Sequence, residues 1–293
     1  MIVINSGNPI SVIADLSKIK INSTVMLTCA LGYILATETY SWFAIYTILG
    51  TFLIACSSAI INQIQERKED AKMRRTQKRP LPSNKISLIS AFVISSIFLL
   101  LGSIFILFEA GLYAYTLAII AFAWYNLIYT PLKKRSAFAV IPGSIIGAIP
   151  PAIGWVSTGA SLMNSKIIIL CVFMFIWQIP HFWLLLLKHQ DDYENADFPL
   201  ITKVYSENTV KNITFVCIMI LALIGSSIPF YAKISSLTFN IIFFTLSLAL
   251  VILCLPIIRK KNKKLNFSIL FGYTNIYMIF ILFALASHDL SFS

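Results

Sequence analysis

Apolar segments of membrane-spanning length follow one another along almost the whole chain, and no other feature limits the possible folds as strongly. We identify about nine of them, each of roughly 20 residues, which is the length that a helix needs to cross the hydrocarbon core of a bilayer. A mean hydropathy of +0.83 with 12% charged residues excludes an ordinary soluble domain. The predicted fold class is therefore an all-α polytopic membrane protein, with residues 1–293 forming a single membrane-embedded domain. The predicted spans are residues 21–37, 43–64, 86–108, 112–130, 138–158, 166–187, 211–231, 237–258 and 267–287.

The distribution of basic residues supports this number of spans. If the N-terminus is cytoplasmic, all but two of the 23 Lys and Arg residues fall on the cytoplasmic side, and the exceptions are Lys166 and Lys233. The positive-inside rule then places the loops at 65–85 and 188–211 in the cytoplasm and the C-terminus outside. The net charge of +11 follows from this topology and from phosphate chemistry, so it does not indicate a nucleic-acid partner. The five cysteines lie inside apolar segments without metal-site spacing and are expected to be core residues.

The loop after the second span combines acidic and basic residues in an unusual pattern. It reads NQIQERKEDAKMRRTQKRPLP from Asn62, and Asn62, Glu66 and Asp70 fall four apart, on one side of a helix. Oxygen ligands at this spacing, beside many cations, suit a diphosphate bridged by Mg²⁺. The plainer interpretation is a positive-inside loop with incidental acids. A straight helix would separate Asn62 from Asp70 by about 12 Å, which favours two ions or a bent helix end.

A second acidic loop follows the sixth span and resembles the first in its placement. Both loops come after an even-numbered span, so both are expected to face the cytoplasm, and a proline follows each of them (Pro80 and Pro199). This arrangement is expected where one site is built from both halves of the chain, although two such loops could also arise by coincidence. The acids of the second loop are Asp191, Asp192, Glu194 and Asp197.

The sixth span carries polar residues into the membrane. A helix continued through the second loop would align Trp177, His181, Lys188 and Asp192 in one stripe. An ionisable residue inside a bilayer is more often functional than structural, and His181 could be a pocket wall or a metal ligand. The fourth span ends with Asn126 and Tyr129 one turn apart, followed by a basic triplet at 133–135. That region suits either a phosphate site or an interfacial tyrosine belt with topogenic charges.

These motifs together resemble the UbiA superfamily of intramembrane prenyltransferases and, within it, the haem O synthase (protohaem IX farnesyltransferase) family. The first loop is similar to that family's motif N-x-x-x-D-R-D-x-D-x-K-M-x-R-T-x-x-R-P-L. The strings YTPLKKRS, PGSIIGAIPPAIGW and WQIPHFW, followed by DDY and FPLI, resemble its later motifs. Three positions depart from the family pattern. Glu66 stands where the family usually has Asp, Lys68 stands where it often has a further Asp, and Asp197 stands where it usually has Gly.

The resemblance implies a bundle with UbiA-like architecture and a reaction in which haem B, farnesyl diphosphate and water give haem O and diphosphate. It implies Mg²⁺ as cofactor, and His181 and Trp177 as residues that contact haem, with His181 proposed as an axial ligand. The implied metal ligands are Asn62, Glu66, Asp70, Asp191 and Asp192. The implied catalytic set is Asn62, Glu66, Asp70, Lys72, Arg75, Arg79, Tyr129, Lys188 and Asp192, with Arg67 as a further cation beside the diphosphate.

Two other functions fit parts of the sequence. A relative that prenylates a quinone-precursor ring would keep both acidic loops without needing His181. A transporter of an anionic solute would use the loops as a gate, but its charges should extend through the bundle rather than gather at one surface. The resemblance also implies a multi-pass protein of the inner (plasma) membrane with cytoplasmic active-site loops. Contact with haem A synthase or with the assembly of a terminal oxidase is a further expectation.

Overall fold

A computed structural model describes residues 3–37, 41–259 and 266–292, and in these ranges the chain is helical apart from turns, loops and one isolated β-bridge between Ile4 and Ile86. The first helices are α1 (Pro9–Leu16), α2 (Ile19–Ala36), α3 (Ala44–Gln65), α4 (Arg67–Lys72), α5 (Leu88–Glu109) and α6 (Gly111–Ala123). A π-helical segment (Trp124–Tyr129) connects α6 to α7 (Thr130–Lys133), and α8 (Val140–Val156) follows. The remaining helices are α9 (Ser165–Lys188), α10 (Gln190–Asn195), α11 (Ile201–Val204), α12 (Glu207–Tyr231), α13 (Leu237–Cys254), α14 (Pro256–Arg259) and α15 (Phe267–Phe292).

Each predicted span corresponds to a helical segment whose ends differ from the prediction by a few residues. Eight segments within the described ranges are long and apolar enough to cross a membrane. The predicted span at 138–158 is the exception, because its helix α8 has only 17 residues and falls short of that length. The predicted span at 112–130 is a continuous helical segment through Lys133 that includes the π-helical turns.

Packing of the backbone divides the chain into two compact units. The first unit contains Met1–Ser136, Ile149–Ala160 and Asp191–Pro199, and therefore includes both acidic loops. Its helices α3 and α5 approach closely at Gly50 and Gly102. A Cβ atom on Gly102 would lie 2.7 Å from the carbonyl oxygen of Gly50, so only glycine permits this packing.

The amino-terminal segment of the first unit is packed against α3 and α5. Leu16 and Ile60 are fully buried in one apolar cluster with residues of α1, the 81–86 loop and α5. Gln63 in α3 donates hydrogen bonds from Nε2 to the carbonyl oxygens of Asp15 (3.1 Å) and Leu16 (2.6 Å). These bonds fix the turn between α1 and α2, where Lys18 has a left-handed backbone with φ 49°.

The second unit contains Ala137–Ala148, Ser161–Gln190 and Leu200–Ser293. Helices α9, α12, α13 and α15 pack against one another in it. Its core includes the fully buried side chains of Phe173, Ile218 and Phe243. Tyr277 in α15 reaches the surface of Gly225 in α12, and its hydroxyl lies 2.9 Å from the Ser247 hydroxyl in α13. This hydrogen bond joins α13 to α15 inside an apolar core, and α12 packs against it at Gly225.

Candidate active site

The helix that carries the first acidic motif is interrupted at Glu66. Helix α3 ends at Gln65, and Glu66 has φ −98° and ψ 10° before α4 begins at Arg67. The backbone N–H of Glu66 still donates to the Asn62 carbonyl, and that of Asp70 to the Glu66 carbonyl. Of the two arrangements that the spacing allows, two ions or a bent helix end, the second agrees with this break at Glu66.

All three oxygen-bearing side chains of the first motif are buried, although the sequence places them in a loop at the membrane surface. Asn62, Glu66 and Asp70 are only 2–3% exposed. Lys133 donates from Nζ to both carboxylate oxygens of Glu66 at 3.1 Å. Arg79 donates from Nη1 to both carboxylate oxygens of Asp70, at 2.7 and 2.8 Å. Such buried anions require partners of this kind, because an unpaired charge away from water is strongly unfavourable.

Asn62 is held by two partners that link the amino-terminal turn to the fourth span. Its Oδ1 accepts a hydrogen bond from Lys18 Nζ at 2.8 Å, and its Nδ2 donates to the Thr130 hydroxyl at 3.1 Å. Sequence reasoning assigned Lys18 only a topological role, and no local motif marks it as a site residue. Its position follows from the turn that Gln63 fixes, which is a tertiary effect.

The second acidic loop contacts the first one directly within the same unit. Asp192, 8% exposed, accepts hydrogen bonds from the backbone N–H groups of Arg74 (3.0 Å) and Arg75 (3.2 Å). An apolar cluster of Met73, Ala196 and Phe198 lies beside these bonds. The predicted convergence of the two loops therefore occurs, and Asp192 anchors it.

The cations around the first motif alter the pKa values of the groups that they contact. Burial alone would raise the pKa of Glu66, but the charges of Lys133, Lys18 and Arg79 outweigh burial and hold that pKa below its usual value. Burial, followed by repulsion from Arg79, lowers the pKa of Lys18 to about 7. Glu66 is accordingly ionised at neutral pH, whereas Lys18 holds its proton much less tightly than an exposed lysine.

The predicted site residues Lys72, Arg75 and Asp191 lie at the surface of the first unit, and so do Lys68 and Asp197, which depart from the family pattern. Lys72 and Asp197 form an exposed ion pair of 2.6 Å, and this bond raises the pKa of Lys72. The Asp197 backbone has φ 59°, a conformation that glycine adopts freely and aspartate tolerates, which accounts for the glycine expected there by family resemblance. The side chains of Lys68, Arg75 and Asp191 are exposed.

The π-helical segment presents polar side chains to the interior of the first unit. Asn126 is 1% exposed and donates from Nδ2 to the Ser58 hydroxyl at 2.7 Å and to the Phe122 carbonyl at 2.9 Å. Tyr129, 8% exposed, lies 5.5 Å from Tyr125 between ring centres. Widened helical turns of this kind are rare and often occur at functional sites. The sequence predicted Tyr129 as a site residue but gave no sign of the π-helical geometry.

The residues predicted to contact haem lie in the second unit. His181 Nδ1 is 2.9 Å from Asn275 Oδ1, and its ring centre is 4.6 Å from the rings of both Trp177 and Phe271. Trp177 donates from Nε1 to the Thr274 carbonyl at 3.1 Å. The Lys188 ammonium lies 5.8 Å from the centre of the Phe271 ring. Asn275 and Phe271 were missed because nothing in the sequence of the last span distinguishes them.

The single stripe from Trp177 to Asp192 is a wrong prediction. Helix α9 ends at Lys188, and His189 has φ −121° and ψ 32° before α10 begins at Gln190. The alignment of Asp192 with His181 on a helical wheel requires a helix that continues through His189, and this helix does not. Proline does not cause the break, because Pro180 lies inside α9.

Within the described ranges, no three His, Cys, Asp or Glu side chains are grouped so as to hold a metal ion. The predicted donors are nevertheless carboxylate and amide oxygens, which are the ligands that Mg²⁺ prefers. Those of Glu66 and Asp70 are buried and paired with an ammonium and a guanidinium group, and that of Asp192 is buried and accepts hydrogen bonds from backbone N–H groups. The donor chemistry fits Mg²⁺, and binding it would require these carboxylates to exchange partners.

Comparison with known families and structures identifies the class of protein that this fold and site define. A model of the UbiA prenyltransferase family matches residues 25–286. The chain belongs to the UbiA prenyltransferase family, and its apolar helices make it a multi-pass membrane protein. The resemblance drawn from the motifs is therefore confirmed.

Curated relatives of this chain carry a more specific name. It is 31% identical to a protoheme IX farnesyltransferase of Oleidesulfovibrio alaskensis, over 75% of this chain and 79% of that one. It is 30% identical to the protoheme IX farnesyltransferase of Christiangramia forsetii, over 94% of both chains.

Solved structures share the fold. A digeranylgeranylglyceryl phosphate synthase matches with a TM-score of 0.78 at 19% identity, over 96% of this chain and 99% of that one. A UbiA homologue from Archaeoglobus fulgidus bound to GPP and Mg²⁺ matches with a TM-score of 0.66 at 15% identity, over 93% of this chain and 99% of that one. The predicted UbiA-like architecture is confirmed.

Proposed function

We propose that this protein transfers the farnesyl group of farnesyl diphosphate to a vinyl group of haem B, with addition of water, and so produces haem O and diphosphate. The choice of reaction is supported by relatives named protoheme IX farnesyltransferase that match most of the chain. Because the chain belongs to a family of prenyltransferases, a function as a transporter of an anionic solute is disfavoured. A quinone-precursor ring as the acceptor is less favoured, because the named relatives act on protohaem.

The contact between the two acidic loops is the main observation that supports a diphosphate site in the first unit. Asp192 binds the backbone of Arg74 and Arg75, and the buried anions Glu66 and Asp70 lie in the first loop with lysine and arginine partners. A site that must hold both Mg²⁺ and a diphosphate needs these opposite charges close together. An ordinary positive-inside loop would leave them exposed to solvent.

Asn62, Glu66, Asp70 and Asp192 would hold Mg²⁺, with Asp191 as an exposed further donor. A bound magnesium ion would neutralise the negative charge that grows on the diphosphate as it leaves. A solved family member bound to GPP and Mg²⁺ supports this cofactor. If these carboxylates bound metal, their present partners Lys133 and Arg79 would become available to the diphosphate oxygens, with Lys72 and Arg75 as further proposed cations.

The chemical steps require no protein nucleophile. The bond between C1 of the farnesyl group and the diphosphate oxygen breaks, and the electron pair leaves with the diphosphate. The terminal vinyl carbon of haem B then forms the new carbon–carbon bond, and water adds to the resulting cation and loses a proton. Buried aromatic rings can stabilise such cations, since the face of the ring carries partial negative charge.

His181 is proposed as the residue that binds haem iron, with Trp177 as part of the wall beside it. Neutral imidazole is a usual axial ligand of haem. His181 is half-buried within an apolar helix, and aromatic rings flank its side chain. The inner-membrane location, the cytoplasmic orientation and a contact with haem A synthase or a terminal oxidase remain predictions.

The proposal is tested by incubating the purified protein in detergent with haem B, farnesyl diphosphate and Mg²⁺. The expected product is a haem heavier by one farnesyl and one hydroxyl group, seen by mass spectrometry. A matched reaction supplies 4-hydroxybenzoate in place of haem. Prenylation of this ring with no change in haem would overturn the proposed acceptor and favour the quinone-precursor alternative.

A further inference from the structure

Asn275 in α15 makes two hydrogen bonds that together determine which ring nitrogen of His181 carries the proton. Its Nδ2 donates to the Phe271 carbonyl oxygen at 2.6 Å, and its Oδ1 lies 2.9 Å from His181 Nδ1. Both partners belong to the same compact unit as Asn275.

The orientation of the Asn275 amide follows from its first bond. A backbone carbonyl oxygen can only accept, so the amide atom that faces Phe271 must be the NH₂ group. The other amide atom, which faces His181, is therefore the oxygen and can itself only accept. The reversed amide would place two oxygen atoms 2.6 Å apart, which is strongly repulsive.

This orientation fixes the tautomer of the imidazole. An acceptor at 2.9 Å from Nδ1 requires a proton on Nδ1, and in the neutral ring the lone pair then belongs to Nε2. No hydrogen bond is made by Nε2 to any residue that the structure describes. Trp177 and Phe271, each 4.6 Å from the imidazole between ring centres, limit its rotation.

We infer that Asn275 is a positioning residue, which holds His181 in the Nδ1–H tautomer and thereby presents the Nε2 lone pair to an incoming iron atom. The identity of that iron as the iron of haem rests on the proposed function. Metal-binding histidines usually donate their second N–H to such an acceptor, which fixes the ring and raises the basicity of the ligand. Asn275 acts through His181 and does not need to touch either substrate.

The tautomer can be measured without haem or activity. The chain has only three histidines, so ¹⁵N-labelled histidine gives few ring signals, and the His181→Gln variant assigns one of them. We expect the His181 signal to report Nδ1–H in the wild type and to shift towards Nε2–H in Asn275→Leu. Asn240→Leu is the matched control, since Asn240 also donates to the carbonyl oxygen four residues earlier but lies exposed in α13. An unchanged His181 signal in Asn275→Leu would overturn the inference.

Haem titration tests the consequence for iron binding. Asn275→Leu should weaken the affinity for ferric haem about 10–100-fold and shift the Soret band in the direction seen for His181→Ala. Asn275→Ala also removes the acceptor at Nδ1, leaves no bulky side chain to fit beside the ring, and should shift the Soret band in the same direction as Asn275→Leu. This second variant also keeps the test valid if Asn275→Leu folds poorly.

Different results would overturn the role of His181 as a ligand and the role of Asn275 as a positioning residue. A wild-type Soret band and wild-type haem affinity in His181→Ala would show that His181 does not bind the iron, but would leave the measured tautomer unaffected. A changed spectrum in His181→Ala with wild-type affinity in Asn275→Leu would overturn only the positioning role of Asn275.

Discussion

Asp70 shows at the scale of one residue how a predicted metal ligand also becomes part of the fold. Its carboxylate is 3% exposed and binds Arg79, so Asp70→Asn removes both a ligand charge and the partner of a half-buried guanidinium. We expect turnover to be abolished and the free energy of unfolding to fall by about 1–3 kcal/mol. Thermal unfolding in detergent measures the second effect.

The exposed pair of Lys72 and Asp197 provides the control for this variant. Lys72→Met breaks an ion pair at the surface, where water solvates both charges, so the melting temperature should not change measurably. Equal melting temperatures for wild type and Asp70→Asn would show that the buried pair does not stabilise the protein. Near-wild-type turnover of Asp70→Asn at limiting Mg²⁺ would contradict its role as a ligand.

Glu66 provides a second prediction for a single residue, because it stands where the family that the motifs resemble usually has Asp. Glu66→Asp keeps the charge that Lys133 and the metal would share, and we expect it to retain activity. Glu66→Gln leaves Lys133 without an anion and removes a ligand charge, so it should raise the Mg²⁺ concentration needed for half-maximal turnover. Equal activity of the two variants across a Mg²⁺ titration would show that Glu66 does not bind the metal.

At the scale of elements, the first acidic motif depends on how α3 packs against α5. Gly102→Ala would place a Cβ atom 2.7 Å from the Gly50 carbonyl oxygen and 2.8 Å from the Ile54 side chain. The helices must separate to admit it, so we expect a lower melting temperature, with a loss of about 1–3 kcal/mol. Gly272→Ala is the control, because open space surrounds that position in α15 and alanine favours a helix. A melting temperature of Gly102→Ala at or above that of the wild type would contradict the close packing.

For the whole molecule, the sequence predicts the helices well and the site only in part. Apolar length determines a membrane helix almost by itself, so the predicted spans lie within a few residues of the observed segments. The spacing of Asn62, Glu66 and Asp70 also identified the first motif. Lys18 and Asn275 could not be found in this way, because tertiary packing brings them to Asn62 and His181.

Orientation in the membrane is the property of the whole molecule that charge alone predicts. In a background without cysteine, Gln77→Cys and Ser235→Cys place single thiols at exposed positions near the predicted cytoplasmic and outer surfaces. The positive-inside rule predicts that a membrane-impermeant maleimide added to intact cells labels only the Ser235→Cys thiol. Permeabilised cells are the control, and in them both variants should react. Labelling of the Gln77→Cys thiol in intact cells would reverse the predicted topology and put both acidic loops on the outer side, where cytoplasmic farnesyl diphosphate could not reach them.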